Sequence, residues 1–405
     1  KFDVMSKSLC ARSVLPHLRV LRAIGFCRLG ARSGASAARR AVQHAYHVLA
    51  FILLCIFVGQ QLLYAYQVTR SDMDKLARVM FLMLCHTTCL AKQFVFHMYA
   101  DQIDEMILIK ERGWRIADPL FGQRAGRGAA LLRGTARRAA RLLRGYAGCA
   151  LATCVLWLVF PVVSRVRAYP HEFPFWTDNT INPKVNAHRF VAVLLYSFYA
   201  TSVVAVGNTT MDAFIVTLLD QSKTQLIILR MNFGSLIERA DAIQLQTGRN
   251  HLIVLKELFI ECLIHYRKIT ELCGTLQRVF GAPLLVQFGV GGWILCMTAY
   301  RILNVLSIEF ASTTLFMTCI LTELFLFCYY GNEVTVESDR VAESVYGMEW
   351  TRAPPAFRRS LALVMECARR PLRPAAGHVI PLSLDTYLKI LKSSYSFYAM
   401  LRQTK

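Results

Sequence analysis

The sequence predicts an all-α, polytopic membrane protein with seven transmembrane helices, its N-terminus cytoplasmic and its C-terminus extracellular. Three observations carry this. The chain is 55% hydrophobic and only 18% charged over 405 residues, whereas soluble domains run near a quarter charged. Uncharged runs of membrane length recur along it. Lys and Arg gather in alternate inter-span segments, and that bias sets orientation.

The formal net charge of +21 does not by itself point to nucleic acid. The basic residues lie between apolar spans, as they do in membrane-protein loops, so no nucleic-acid partner is expected. The 13 cysteines fall mostly inside apolar stretches (Cys55, Cys85, Cys89, Cys149, Cys154, Cys296, Cys319, Cys328). None has zinc-site spacing, so reduced, packing cysteines are expected and no metal or other cofactor. The first long apolar run follows residue 43 at full membrane length, so no cleavable signal peptide is read. The start at Lys1, without a methionine, leaves the true N-terminus open.

Residues 1–43 are a basic, cytoplasmic segment with one acid, Asp3. Residues 44–66 carry no charge and form the first span. The second runs over 76–99, where Lys92 near its end is expected to snorkel to the interface. The loop 101–144 begins acidic and ends arginine-rich. Its arginine-and-alanine part suits either a membrane-surface helix or, the preferred reading, a solvated helix running into the third span, 145–166. The loop 165–186, rich in aromatics and proline, suits the outer interface. The fourth span covers 187–217, completing a first block of four over 44–217.

Residues 218–278 are polar but helically periodic: Leu255, Phe259, Cys262, Tyr266, Ile269, Cys273 and Leu276 step by four and three. Residues 279–331 hold the fifth and sixth spans, 279–302 and 310–331. Glu323 sits inside the sixth. An ionisable residue there hints at function, and a carboxyl kept neutral by a hydrogen bond fits as well. Residues 332–382 return to polar helix, broken at Pro354-Pro355, before the final stretch 383–405.

That stretch has two faces at helical spacing. Leu384, Leu388, Leu391, Tyr395 and Tyr398 form an apolar-to-aromatic stripe; Lys389, Ser393, Ser396, Met400 and Gln403 lie opposite. Polar side chains in a membrane helix face a bundle interior or water. In a symmetric assembly, Met400 would form an apolar ring able to close a wet path by dewetting. The plainer alternative, hydroxyls bonding neighbouring helices with Met400 as filler, fits the same pattern.

The orientation excludes a G-protein-coupled receptor. The third span ends Ser164-Arg-Val-Arg-Ala-Tyr169, and no Asn-Pro-x-x-Tyr occurs. The sequence has no Gly-rich phosphate loop, His-Glu-x-x-His or nucleophile elbow, so no enzyme is expected. His86 and His97 read as hydrogen-bonded packing residues. Asn208-Thr-Thr210 has a glycosylation pattern in mid-span, where it would be silent.

The last quarter of the chain resembles the insect odorant receptor family. The resemblance rests on Gly331-Asn-Glu-Val334, Glu337-Ser338, Val341-Ala-Glu-Ser-Val-Tyr346 and Trp350. It continues through Phe357-Arg-Arg, Leu361, Arg369-Arg-Pro371, Pro381-Leu-Ser-Leu384, Tyr387, Lys389-Ile-Leu-Lys-Ser-Ser-Tyr-Ser396 and Leu401-Arg402. The related gustatory receptors end in Thr-Tyr-x5-Gln-Phe; this chain keeps only the glutamine, Gln403.

The resemblance implies a ligand-gated, non-selective cation channel in the plasma membrane of olfactory neurons, multi-pass and in contact with membrane lipid. It implies a heterotetramer with the odorant receptor co-receptor, in which this chain is the tuning subunit: its loop between the fourth and fifth spans is too short for the co-receptor's insertion. It implies a helical anchor over 218–278 and 332–382. Ser393, Ser396, Met400 and Gln403 would line the pore, with Met400 as gate. A small, hydrophobic volatile would sit in an outer-leaflet pocket lined, by matched depth, by Phe81, Leu84, Trp157, Phe160, Tyr196, Tyr199, Met297 and Tyr300. Those aromatics serve equally well as ordinary core. A gustatory-type channel that assembles alone, or a transporter, are the alternatives; no internal repeat of the transporter kind is evident.

Overall fold

The computed structural model describes residues 11–28, 36–68, 73–113, 122–166, 187–302 and 307–403. Among them are eleven helices: α1 (Ala11–Ala23), α2 (Ala37–Val68), α3 (Met73–Met98), α4 (Ala100–Gly113), α5 (Gly122–Val166), α6 (Ala187–Gly234), α7 (Leu236–Thr247), α8 (His251–Ile302), α9 (Ser307–Tyr346), α10 (Pro355–Ala368) and α11 (Leu384–Gln403). A two-residue antiparallel ladder, β1 (Ala375–Ala376) with β2 (Ile380–Pro381), precedes α11. The aromatic loop at 167–186 and residues 1–10 lie outside the described residues.

Five helices are long and apolar enough to cross a membrane, within α2, α5, α6, α8 and α9. The second and seventh expected spans fall on α3 and α11, which do not reach that measure among the described residues. On α11, Asp385, Lys389 and Lys392 put three charges within one span-length stretch. The chain is all-α and multi-pass.

Length explains the two-part shape of the long helices. At 1.5 Å per residue, the 48 residues of α6 extend about 72 Å and the 52 of α8 about 78 Å. A hydrocarbon core takes about 30 Å, so each helix runs well beyond it. The arginine-and-alanine run and the third span are one helix, α5, built largely from Ala, Leu and Arg, all strong helix formers.

The core begins where α3, α6 and α8 cross. Phe96, Phe214 and Phe280 are fully buried there, with ring centroids 5.4–6.4 Å apart. Farther along α6 and α8 a second aromatic group, Phe233, Phe259 and Phe357, draws in α10. Pro354 is extended and Pro355 opens α10, where a missing N–H costs nothing. Gly248, at φ 68°, ends α7 with its N–H on Gln244 O.

Close backbone approach fixes the start of α11. Gly377 N–H donates to Gly281 O of α8 at 2.8 Å. Gly377 has φ 59°, and a Cβ there would meet Leu285 at 2.6 Å, so only glycine fits. A Cβ on Gly331 of α9 would lie 2.3 Å from Leu382. Ser383 then caps α11, its hydroxyl accepting from Thr386 N–H at 3.2 Å.

On the opposite side, α1 packs its His17 against α6. The ring is fully buried, with Nε2 3.4 Å from Thr217 Oγ1, and burial lowers its pKa to about 4. The unfolded chain takes up the proton near 6.5, so the stability that neutral His17 contributes is intact above pH 6.5 and is lost as pH falls towards 4. The melting midpoint of the purified chain should drop across that window, and His17→Gln should flatten the drop.

Candidate functional site

Halfway along the bundle lies a buried ionic cluster. Lys92 of α3 places Nζ 2.6 Å from Asp212 Oδ1 of α6 and 3.6 Å from Glu323 Oε1 of α9. Tyr146 of α5 donates its hydroxyl to Glu323 Oε2 at 3.1 Å. All four side chains are buried, so four helices meet at one cation and two carboxylates. Charges away from water persist only when paired. Lys92 therefore does not snorkel: it is 1% exposed, because Asp212 and Glu323 supply the counter-charge that the interface would otherwise have offered.

A cavity of about 60 Å³ opens between α3, α5, α6 and α9. Glu323, Tyr146, Asn208 and Thr209 close one end; Trp157, Phe316 and Thr201 close the other. Trp157 and Phe316 have ring centroids 5.7 Å apart. A smaller void of about 10 Å³, room for one water, adjoins Glu323, Thr88 and Gln287. Gln287 is buried there with neither amide atom hydrogen-bonded. Cys149 and Cys319 stand with Sγ atoms 3.3 Å apart at the cavity edge.

Of the predicted pocket residues, Trp157 lines this cavity. Leu84 packs on the main core instead, beside Leu82, which does line it. Tyr196 is partly exposed and donates to Gln60 Oε1 at 3.0 Å. Tyr199 is 68% exposed and Met297 half-buried; neither lines the cavity. The side chains of Phe81, Phe160 and Tyr300 lie outside the described residues. His86 shares the expected hydrogen bond, with Gln61, and also lines the cavity; His97 stacks on His44 and His47, but its buried Nδ1 lacks the hydrogen bond expected of it.

The sequence reading missed Asp212, Asn208 and Thr209 as wall or cluster residues. Their signal was present: Asp212 is an isolated acid in an apolar run of a span, as Lys92 is an isolated base. Arg138, read as part of a solvated run, makes a two-pronged ion pair with Asp220 of α6 at 3.1 Å.

Along α11, the packed face differs from the expected stripe. Tyr387, Ile390 and Leu391 pack on the core, Ser394 donates to Gly292 O at 3.1 Å, and Phe397 meets Trp293. Leu388 and Tyr395 are instead 52% and 70% exposed. The ridge of α11 that fits α8 and α9 is thus rotated by about one residue, since Gly292 offers a carbonyl and Trp293 a ring at that register. Ser393, Ser396 and Met400 are exposed on the single chain, and Gln403's side chain lies outside the described residues.

A family model described as 7tm Odorant receptor matches residues 72–395. The chain belongs to the insect odorant receptor family. Odorant receptor 46a, isoform B, of Drosophila melanogaster is 24% identical over 368 residues, covering 87% of this chain and 89% of that receptor. Odorant receptor 2a of the same fly is 25% identical over 264 residues, spanning 62% of this chain and 63% of its own length. The solved insect olfactory receptor OR5 from Machilis hrabei superposes with a TM-score of 0.81 at 12% identity, covering 97% of this chain and 98% of that one. The same receptor in complex with eugenol gives 0.79. At such identities the likeness of the solved structures speaks for the fold alone. The family is one of receptors, not enzymes.

Within this odorant receptor, the ionic cluster should dominate mutational sensitivity. Lys92→Met strands two buried carboxylates and should cost about 3–5 kcal/mol, read as a large fall in melting midpoint. Glu323→Gln leaves the Lys92–Asp212 pair whole and should cost clearly less. Equal losses would contradict the pairing described.

Proposed function

We propose that this odorant receptor is the odour-tuning subunit of a ligand-gated, non-selective cation channel in the plasma membrane of olfactory sensory neurons, at their dendrites. It binds a small volatile in the cavity between α3, α5, α6 and α9, and works in a heterotetramer with the odorant receptor co-receptor. Seven spans cross the membrane, the N-terminus is cytoplasmic and the polar ends of α6, α8 and α9 form a cytoplasmic anchor. The observation that carries this reading is the pairing of two features in one chain. One is a partly enclosed, largely apolar cavity walled by Trp157 and Phe316, the usual character of a small-molecule site. The other is the outward face of α11, where Ser393, Ser396 and Met400 are exposed.

Four such faces around an axis make a polar conduit, with Gln403 at its outer end and a ring of Met400 side chains as its apolar constriction. The eugenol complex of the Machilis hrabei receptor shows that one receptor of this fold takes a small volatile. Of the expected lining, Trp157 stays in this proposal; Phe81, Leu84, Phe160, Tyr196, Tyr199, Met297 and Tyr300 remain candidates for a wider pocket in the open state.

Expression with and without the co-receptor, followed by recording of odour-evoked current, tests the assembly. Current is expected only with the co-receptor; full responses from the chain alone would favour a self-assembling channel. In the co-expressed channel, Met400→Ser should raise basal current severalfold. An unchanged closed state would remove Met400 from the gate.

A further inference from the structure

The polar wall of the cavity is chemically one-sided. Thr153 donates its hydroxyl proton to Cys149 O at 3.0 Å, and Thr201 to Ser197 O at 2.7 Å. Thr209 donates to Ala205 O at 2.8 Å. Tyr146 donates to Glu323. A hydroxyl has one proton and two lone pairs, so each of these four groups, its proton spent on the protein, can offer the cavity only acceptor capacity. Glu323 adds carboxyl oxygens, and Lys92 donates to Asp212 Oδ1 at 2.6 Å with Glu323 Oε1 3.6 Å away. Asn208 is 95% buried, lines the cavity, and its Oδ1 has no hydrogen-bond partner. Against these oxygens stand few donors in the wall: thiols, which donate weakly, the ring N–H groups of His86 and Trp157, and the Asn208 amide nitrogen. The His86 ring is already bonded to Gln61.

We propose that this cavity selects volatiles that donate a hydrogen bond, small alcohols and phenols, over molecules of similar size that only accept one, such as ethers and ketones. The proposal rests on the ligand-site reading above and names the chemical class that site takes. The donor group seats among Asn208 Oδ1, Thr153, Thr209 and the Tyr146–Glu323 pair. The apolar body lies toward Trp157 and Phe316. The physical basis is desolvation. A buried oxygen left unpaired by an ether or ketone is penalised, whereas an alcohol satisfies it. Sites built around a ligand hydroxyl discriminate strongly against analogues that lack it. The cavity of about 60 Å³ is far below the 300–1,000 Å³ of drug-sized pockets, so a ligand the size of hexanol or cresol enters only as the wall widens around it.

Isomeric pairs provide the test. Hexan-1-ol is compared with methyl pentyl ether, and p-cresol with anisole, in two readouts on the full chain. One is current in cells that also express the co-receptor. The other is the melting midpoint of the purified chain in detergent, which needs no gating. The expected result is half-maximal response, or half-maximal melting shift, at about tenfold lower concentration for each donor than for its isomer. Asn208→Leu and Thr153→Val should each bring that ratio below about threefold. Two substitutions on different helices guard against misfolding of either one.

Melting shifts for the alcohols without current in co-expressing cells would uphold this selectivity and overturn the channel reading. Currents or shifts equal for both members of each pair would overturn the selectivity and leave the channel reading standing. No response to any of the four compounds in either readout would also overturn the proposal. So would ratios that Asn208→Leu and Thr153→Val leave untouched.

Discussion

One buried cation ties together the helix bundle of this receptor. Lys92 lies among Asp212, Glu323 and, through Glu323, Tyr146, and so ties α3, α6, α9 and α5 at a single depth. The pairing is not a cheap source of stability, because desolvating three ionisable groups offsets much of their attraction. Its value is register. An apolar bundle in lipid tolerates sliding, since no helix pair gains hydrophobic burial over lipid contact. A lysine that must find two carboxylates does not. The edge-on and tilted Phe96, Phe214 and Phe280 rings lie beside the charges, Phe96 and Phe214 within four residues of Lys92 and Asp212 along α3 and α6.

The same cluster closes one end of the cavity, so the proposed ligand site and the structural keystone share Glu323. Glu323 is two residues from Phe325 on α9, whose ring meets Tyr387 of α11 at 5.6 Å. On α8, Gln287 borders the small void beside Glu323, and Gly292 one turn farther on accepts from Ser394 of α11. In the proposed mechanism, a ligand that displaces α9 or α8 at the cavity therefore moves surfaces on which α11 rests. It would open the pore only to the extent that it binds the open arrangement more tightly than the closed one.

Much of the fold was legible because its signals are local. Uncharged runs, proline breaks and four-and-three spacing place helices without tertiary knowledge, and the break at Pro354-Pro355 and the helix after it are where the pattern puts them. What escaped depended on distant pairs. Lys92 near a span's end is indistinguishable from a snorkelling lysine until Asp212, 120 positions on, is known to face it. The packed side of α11 escaped for a similar reason. Its stripe through Leu388 and Tyr395 is as apolar as the true one, and only the carbonyl of Gly292 and the ring of Trp293 decide which ridge docks. The hairpin before α11 left a trace in Gly377, but its partner Gly281 lies far away in the chain.

The proposal that matters most is that the exposed face of α11, through Ser393, Ser396 and Met400, borders water in the assembled channel. Single cysteines at Ser393, Ser394, Ser396, Phe397 and Met400, probed with a charged, membrane-impermeant thiol reagent while ligand-evoked current is recorded in the co-expressed complex, test it most directly. Block confined to positions 393, 396 and 400, sparing 394 and 397 that pack on α8, is the result this account predicts. Block at 394 and 397 with 393, 396 and 400 inert would contradict it.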